Sequence, residues 1–222
     1  MNRSVYSLVL ADDVVEAVDQ LAYNMNTSRS NLVNQILAEY FSFSTPEKRM
    51  KDIFSDLEQL MNSDNFQVFD QASDAMISIK SALRYRYKPT IRYALELYRD
   101  YEPVIGELRV SLRTQSQPLI AVLTQFFRLW NALEDRYIGR YFPEGRVICQ
   151  IDADSGRYSR KFLLPEEEQS RGSNTIAGAI ADYIKAFDAA LKVYFAEQDT
   201  PQQACSDVNQ LYFQYCNRAT II

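Results

Sequence analysis

Hydrophobic positions repeat with two periods along this chain. Over residues 5–10, Tyr6, Leu8 and Leu10 alternate with Val5, Ser7 and Val9, the two-residue period of a strand with one covered face. The period then becomes helical. Val14, Val15, Val18, Leu21, Ala22 and Met25 make one apolar stripe, with Asp12 or Asp13 placed to cap it. Asn26 suits a left-handed turn that ends this helix, since its short polar side chain tolerates that conformation. Thr27 or Ser28 then offers a hydroxyl to the free amides of a second helix, whose apolar side carries Leu32, Val33, Ile36, Leu37, Tyr40 and Phe41. One strand and two helices this short cannot close a core. An unpaired strand edge beside so much apolar surface predicts that a second copy completes the fold.

A linker, Ser42-Phe43-Ser44-Thr45-Pro46, follows. Thr45 as cap and Pro46 at the first helical position start a helix with Met50, Ile53, Phe54, Leu57, Leu60 and Met61 on one side. Beyond Asn62 alternation returns, and a hairpin is predicted from residues 76–87 and 91–98, joined by Lys88-Pro89-Thr90. A third strand is predicted over 107–113, with Pro103 and Gly106 punctuating its start. Pro118 opens a long helix to about Tyr141, and a second hairpin pairs 147–151 with 158–164. Ser173 or Asn174 caps a helix through Phe195, and Pro201 opens the last helix to about Ala219. Strands then helix, hairpin then helix, predict an α+β fold in which an antiparallel sheet is covered by helices. The organisation is an opening dimerisation module over 1–43, a connecting helix over 44–62 and an α+β domain over 63–222.

Composition narrows the chemistry. With 222 residues, 47% of them hydrophobic, there is material for one small dimerising module and one domain with its own core. The chain contains no histidine, which removes the side chain most used for proton transfer near neutral pH and rules out Ser-His-Asp and Cys-His mechanisms. There is no glycine-rich phosphate loop and no nucleophile beside a base, so an enzyme is not expected, and no cofactor or metal is called for. Asp152, Asp154 and Ser155 invite a calcium reading, but the loop lacks the other ligand positions of an EF-hand and reads as a plain turn. The three cysteines, Cys149, Cys205 and Cys216, fit reduced, buried thiols. Residues 1–7 lack the apolar run of a secretory signal, and no stretch approaches the roughly 20 apolar residues of a membrane helix, so a cytoplasmic protein without membrane contact is expected. A net charge of −5 argues against indiscriminate coating of nucleic acid, so any anion site must be a local patch.

The opening stretch resembles the ribbon-helix-helix (MetJ/Arc/CopG-like) DNA-binding family. The resemblance rests on the strand over 5–10, the acidic helix start Asp12-Asp13, the Asp19-x-x-Ala22 step and Asn26-Thr27-Ser28-Arg29-Ser30 before the second helix. It implies a homodimer whose two strands form a ribbon in the major groove of double-stranded DNA, with a phosphate held at the second helix's N-terminus. On this chain that would make Val5, Ser7 and Val9 groove-facing, with Arg3 anchoring the ribbon and Thr27, Ser28, Arg29 and Ser30 forming the clamp. Lys48, Arg49 and Lys51 would add flanking phosphate contacts. The sequence departs from the family pattern in two valines where base edges are usually met by polar or basic side chains. Over 1–43, Arg3 and Arg29 face Asp12, Asp13, Glu16, Asp19 and Glu39, a net of −3. The family's nickel-sensing members use histidine ligands, which this chain lacks.

Residues 63–222 carry no comparable resemblance. Their most basic stretch, Lys80, Arg84, Arg86, Lys88 and Arg92, is interleaved with Tyr85, Tyr87 and Tyr93. On paired strands Arg84, Arg86, Lys88 and Arg92 form a second candidate patch for nucleic acid or a protein partner, extended by Arg109 and Arg113. The expected function is a homodimeric DNA-binding transcriptional regulator of bacterial type, with the second domain as sensor, partner surface or oligomerisation element. One alternative keeps the opening module only as a dimer clasp for a protein- or RNA-binding domain. An antitoxin is another, although such proteins usually append a short flexible tail rather than a folded domain.

Overall fold

The computed structural model describes residues 7–40, 45–62, 65–70, 73–83, 89–99, 103–164 and 172–222. The chain divides into two compact units, Met1–Arg49 and Met50–Ile222. In the first unit, helices α1 (Asp12–Asn24) and α2 (Arg29–Tyr40) are joined by a short turn. Residues 7–10 form neither helix nor ladder within the chain, and residues 5 and 6 of the predicted strand lie outside the described residues. Ala11, not Asp12 or Asp13, is the N-cap of α1 and makes no side-chain cap bond. The two aspartates occupy the first turn, where their charge favours the helix's positive end.

Helix α3 (Pro46–Met61) follows, and its Met50, Ile53, Leu57 and Met61 enter the core of the second unit. That unit is a six-stranded, wholly antiparallel sheet, β1 (Phe66–Asp70), β2 (Met76–Ala82), β3 (Thr90–Leu97), β4 (Val104–Leu112), β5 (Cys149–Asp152) and β6 (Arg157–Leu163). The spatial order is β1-β2-β3-β4-β6-β5. Three helices complete the unit, α4 (Gln117–Ile138), α5 (Ser173–Ala196) and α6 (Pro201–Arg218), so the fold is α+β with six α-helices among the described residues.

Alternation gives the sheet one dry face. Ile77, Ile79, Ile91, Tyr93, Leu95, Leu108, Val110, Tyr158 and Phe162 are buried. Against them pack Phe126, Phe127 and Trp130 of α4 and Tyr183 and Phe187 of α5, with Tyr212 and Tyr215 of α6 behind, in edge-on and stacked ring pairs.

Four local expectations need correction. β1 was not predicted, because Phe66, Val68 and Phe69 break the alternation on a strand of five residues. β4 begins at Val104 and runs through Gly106, where the register shifts; a Cβ there would collide with the Glu96 carbonyl oxygen, so this glycine is a strand residue rather than punctuation. α4 stops at Ile138, and 3-10 turns at Gly139–Tyr141 and Pro143–Gly145 follow, with Gly139 pressed against the Gly145 carbonyl. Cys205 is exposed, although Cys216, three helical turns further along α6, packs against the core. No helix among the described residues is long and apolar enough to cross a membrane.

Candidate nucleic-acid interface

The geometry of the first unit starts at its turn. Asn26 sits at φ 50°, and the Thr27 amide donates to the Ala22 carbonyl at 2.9 Å, closing α1. Ser28 then caps α2, its Oγ accepting the Asn31 N–H at 3.3 Å while its carbonyl takes the Leu32 N–H at 3.0 Å. The amides of the first α2 residues, Arg29 and Ser30, thus have no acceptor inside the helix, the arrangement that favours an anion. Ser28, Arg29 and Ser30 are exposed and Thr27 is half-buried, so these four clamp residues are gathered at one helix end.

Arg29 is already engaged. Its guanidinium makes a two-pronged bond with the Asp19 carboxylate, which ties α2 to α1. That bond holds Asp19 below the usual carboxylate range and Arg29 above its own ordinary value. The Asp19-x-x-Ala22 step therefore has a local reason: Ala22 is buried against α2 while Asp19 holds Arg29 at its start.

Ahead of α1, Leu8, Val9 and Leu10 are all exposed, at 62%, 102% and 41%, and none of them is paired in a ladder. Ser7 is exposed as well, while Arg3 and Val5 lie outside the described residues. The expected helix stripes are only half covered. Val14, Leu21, Met25, Ile36 and Leu37 are 44–48% exposed, whereas Ala22, Leu32 and Ala38 are buried. In α3, Thr45 Oγ1 accepts the Lys48 N–H at 3.2 Å; Lys48 and Arg49 are half-buried and Lys51 is exposed.

In the second patch only Arg92 can be placed, since Arg84, Arg86 and Lys88 lie outside the described residues. Arg92 stands on the wet face of the sheet, its Nε and Nη2 donating to Ser78 Oγ at 3.2 and 3.1 Å. Tyr93, on the opposite face, is fully buried and donates its hydroxyl proton to Asp188 at 2.9 Å. Arg157 was not singled out in the sequence. Its signal is the alternation of Arg157, Ser159 and Lys161 with Tyr158, Arg160 and Phe162 on β6. Asp152 accepts the Asp154 and Ser155 amides at 3.1 and 3.2 Å, folding onto its own turn, and no group of metal-ligating side chains occurs among the described residues. Comparison with protein-family models, with curated proteins and with solved structures found no match to this chain.

Proposed function

We propose that the chain is a homodimeric ribbon-helix-helix DNA-binding regulator whose first unit supplies both the dimer contact and the DNA surface. The observation that supports this reading is an uncovered apolar set, Leu8, Leu10, Val14, Leu21, Met25, Ile36 and Leu37, beside a Ser28-capped helix start. Covering these half-exposed side chains contributes roughly 1 kcal/mol each. Two chains would then gain on the order of 10 kcal/mol, comparable to the roughly 4–15 kcal/mol that association costs. Paired strands would put Leu8 and Leu10 inside and turn Val9 and Ser7 outward, toward a groove.

Valine reads thymine methyls and shape but donates nothing, so the operator is AT-biased and roughly palindromic. With Arg29 neutralised by Asp19, phosphate is held chiefly by the α2 amides.

Light scattering at micromolar concentration should give twice the chain mass, and selection from random duplexes should enrich such a site. Val9→Glu should abolish that enrichment with the dimer intact. A stable monomer overturns the fold reading. A dimer that enriches no duplex leaves the first unit as a clasp.

A further inference from the structure

The wet face of the second unit's sheet is a concave cleft of about 1630 Å³, separate in sequence and in fold from the first unit. Register builds its floor. Lys80 lies opposite Arg92, Arg92 opposite Ser111, and Ser111 opposite Arg157, one file across β2, β3, β4 and β6. At about 4.8 Å per strand this file spans roughly 14 Å between its end residues. Arg113, just beyond β4, lines the same cleft.

The cleft's charge is opposite to that of the chain. Five cations line it against the carboxylates of Glu107, Asp152 and Asp154, in a chain of net charge −5. Glu107 is already held by Arg109 at 2.7 Å, which also binds Glu96 at 2.7 Å, and Asp152 is folded onto its own turn. Lys80, Arg92 and Arg113 have no ion pair among the described residues, while Arg157 stands opposite Asp152 in the β5–β6 register and adds to the Ser155 hydrogen bonds that hold that carboxyl below its ordinary value. At the cleft's edge the Lys80 ammonium sits 3.9 Å over the ring of Phe69, which is 41% exposed.

We propose that this face binds single-stranded nucleic acid, with Arg92, Arg113 and Arg157 holding successive phosphates and Phe69 stacking a base. Guanidinium forks match phosphate oxygens, and an aromatic beside a cationic track suits a strand whose bases are free. A concave floor selects among polyanions. A flexible single strand can lower its phosphates onto the file and leave its bases free to stack, whereas a stiff duplex keeps its bases paired. An acidic peptide gains nothing from Phe69 and would more naturally add to a sheet edge than lie across a face.

The test uses the full-length protein and the fluorescence anisotropy of labelled 20-nucleotide mixed-sequence RNA and DNA, with a random duplex and poly-glutamate as competitors. Single strands should bind at least tenfold tighter than the duplex. Joint Arg92→Gln, Arg113→Gln and Arg157→Gln replacement should weaken them tenfold or more and flatten the salt slope by about 2, at about 0.7 per phosphate lost. Arg113 and Arg157 are exposed and Arg92 loses only its bonds to the Ser78 hydroxyl, so the unfolding midpoint of the second unit should move little beside the change in affinity. Val9→Glu should leave single-strand affinity unchanged, which keeps this test independent of the operator reading. Equal competition by duplex or by poly-glutamate, no binding, or an unweakened triple variant would overturn the proposal.

Discussion

Replacing Glu134 by Gln removes one charge from an ion pair sealed in the second unit's core. Glu134 and Arg160 both have side chains with 0% exposure; Arg160 Nε donates to Glu134 Oε1 at 2.9 Å, and the Tyr158 hydroxyl donates to Oε2 at 2.6 Å. Arg160 Nη1 and Nη2 find no acceptor among the described residues, and the guanidinium lies 4.7 Å from the Tyr183 ring centre and 4.8 Å from that of Phe162. Arginine cannot shed its proton, so a lost carboxylate leaves an uncompensated buried cation, at a cost of about 3–5 kcal/mol. Glutamine's oxygen still accepts from Nε and the ring faces remain, which places Glu134→Gln near about 3 kcal/mol. Arg160→Met differs in kind, because Glu134 can neutralise itself. Burial already raises its carboxyl above the ordinary value despite the opposing pull of Arg160 and Tyr158, and without the guanidinium it rises further. The folded state then keeps a proton that the unfolded chain releases. Stability is thus fully present below the ordinary carboxylate value and falls as pH rises through the elevated one. A double replacement, Glu134→Leu with Arg160→Met, buries no charge and should recover most of the loss. Urea unfolding read by Trp130, the single tryptophan and a donor to the Tyr183 hydroxyl at 3.0 Å, follows this unit specifically. Glu134→Gln within about 1 kcal/mol of the parent, or an Arg160→Met deficit equal at about pH 4 and pH 8, would refute the reasoning.

Asp188, buried on α5, accepts from the Tyr93 hydroxyl at 2.9 Å and pairs with Lys192 at 2.6 Å, while Lys192 also donates to Ser81 at 2.8 Å. Asp188→Asn should cost about 1.5–3 kcal/mol by the same Trp130 assay, and a loss below about 0.5 kcal/mol would mean the charge is not used. Burial, then the Glu134 and Asp135 carboxylates, pushes the Cys149 thiol up to about 11, and its Sγ donates to Asn131 at 2.8 Å. In the native protein at about pH 8 it should alkylate about two orders of magnitude more slowly than a model thiol, as peptide mapping of labelled cysteines would read; equal rates would contradict its burial.

What the sequence discloses follows the reach of the physics involved. Caps and turns are settled within a few residues, so Asn26 and the Ser28 cap were legible, and so was the strand parity of β3 and β4, where Ile91, Tyr93, Leu95, Leu108 and Val110 alternate with polar positions. Arg160 lies inside, between Tyr158 and Phe162, where residue type argues the reverse; its partner Glu134 lies 26 positions away on α4, a separation no local pattern spans. The cleft is hidden for a related reason. Lys80 and Arg157 join one file only through three successive strand registers, and β4 reaches its register through the shift at Gly106, which the sequence offers as punctuation. The first unit is the converse case: its two helices were readable from local pattern, whereas residues 7–10 of the expected strand form no ladder within the chain and the stripes of α1 and α2 stay half-exposed. Long-range pairing by strand register is where the pattern of single residues stops carrying information, and the file from Lys80 to Arg157 is built by such pairing.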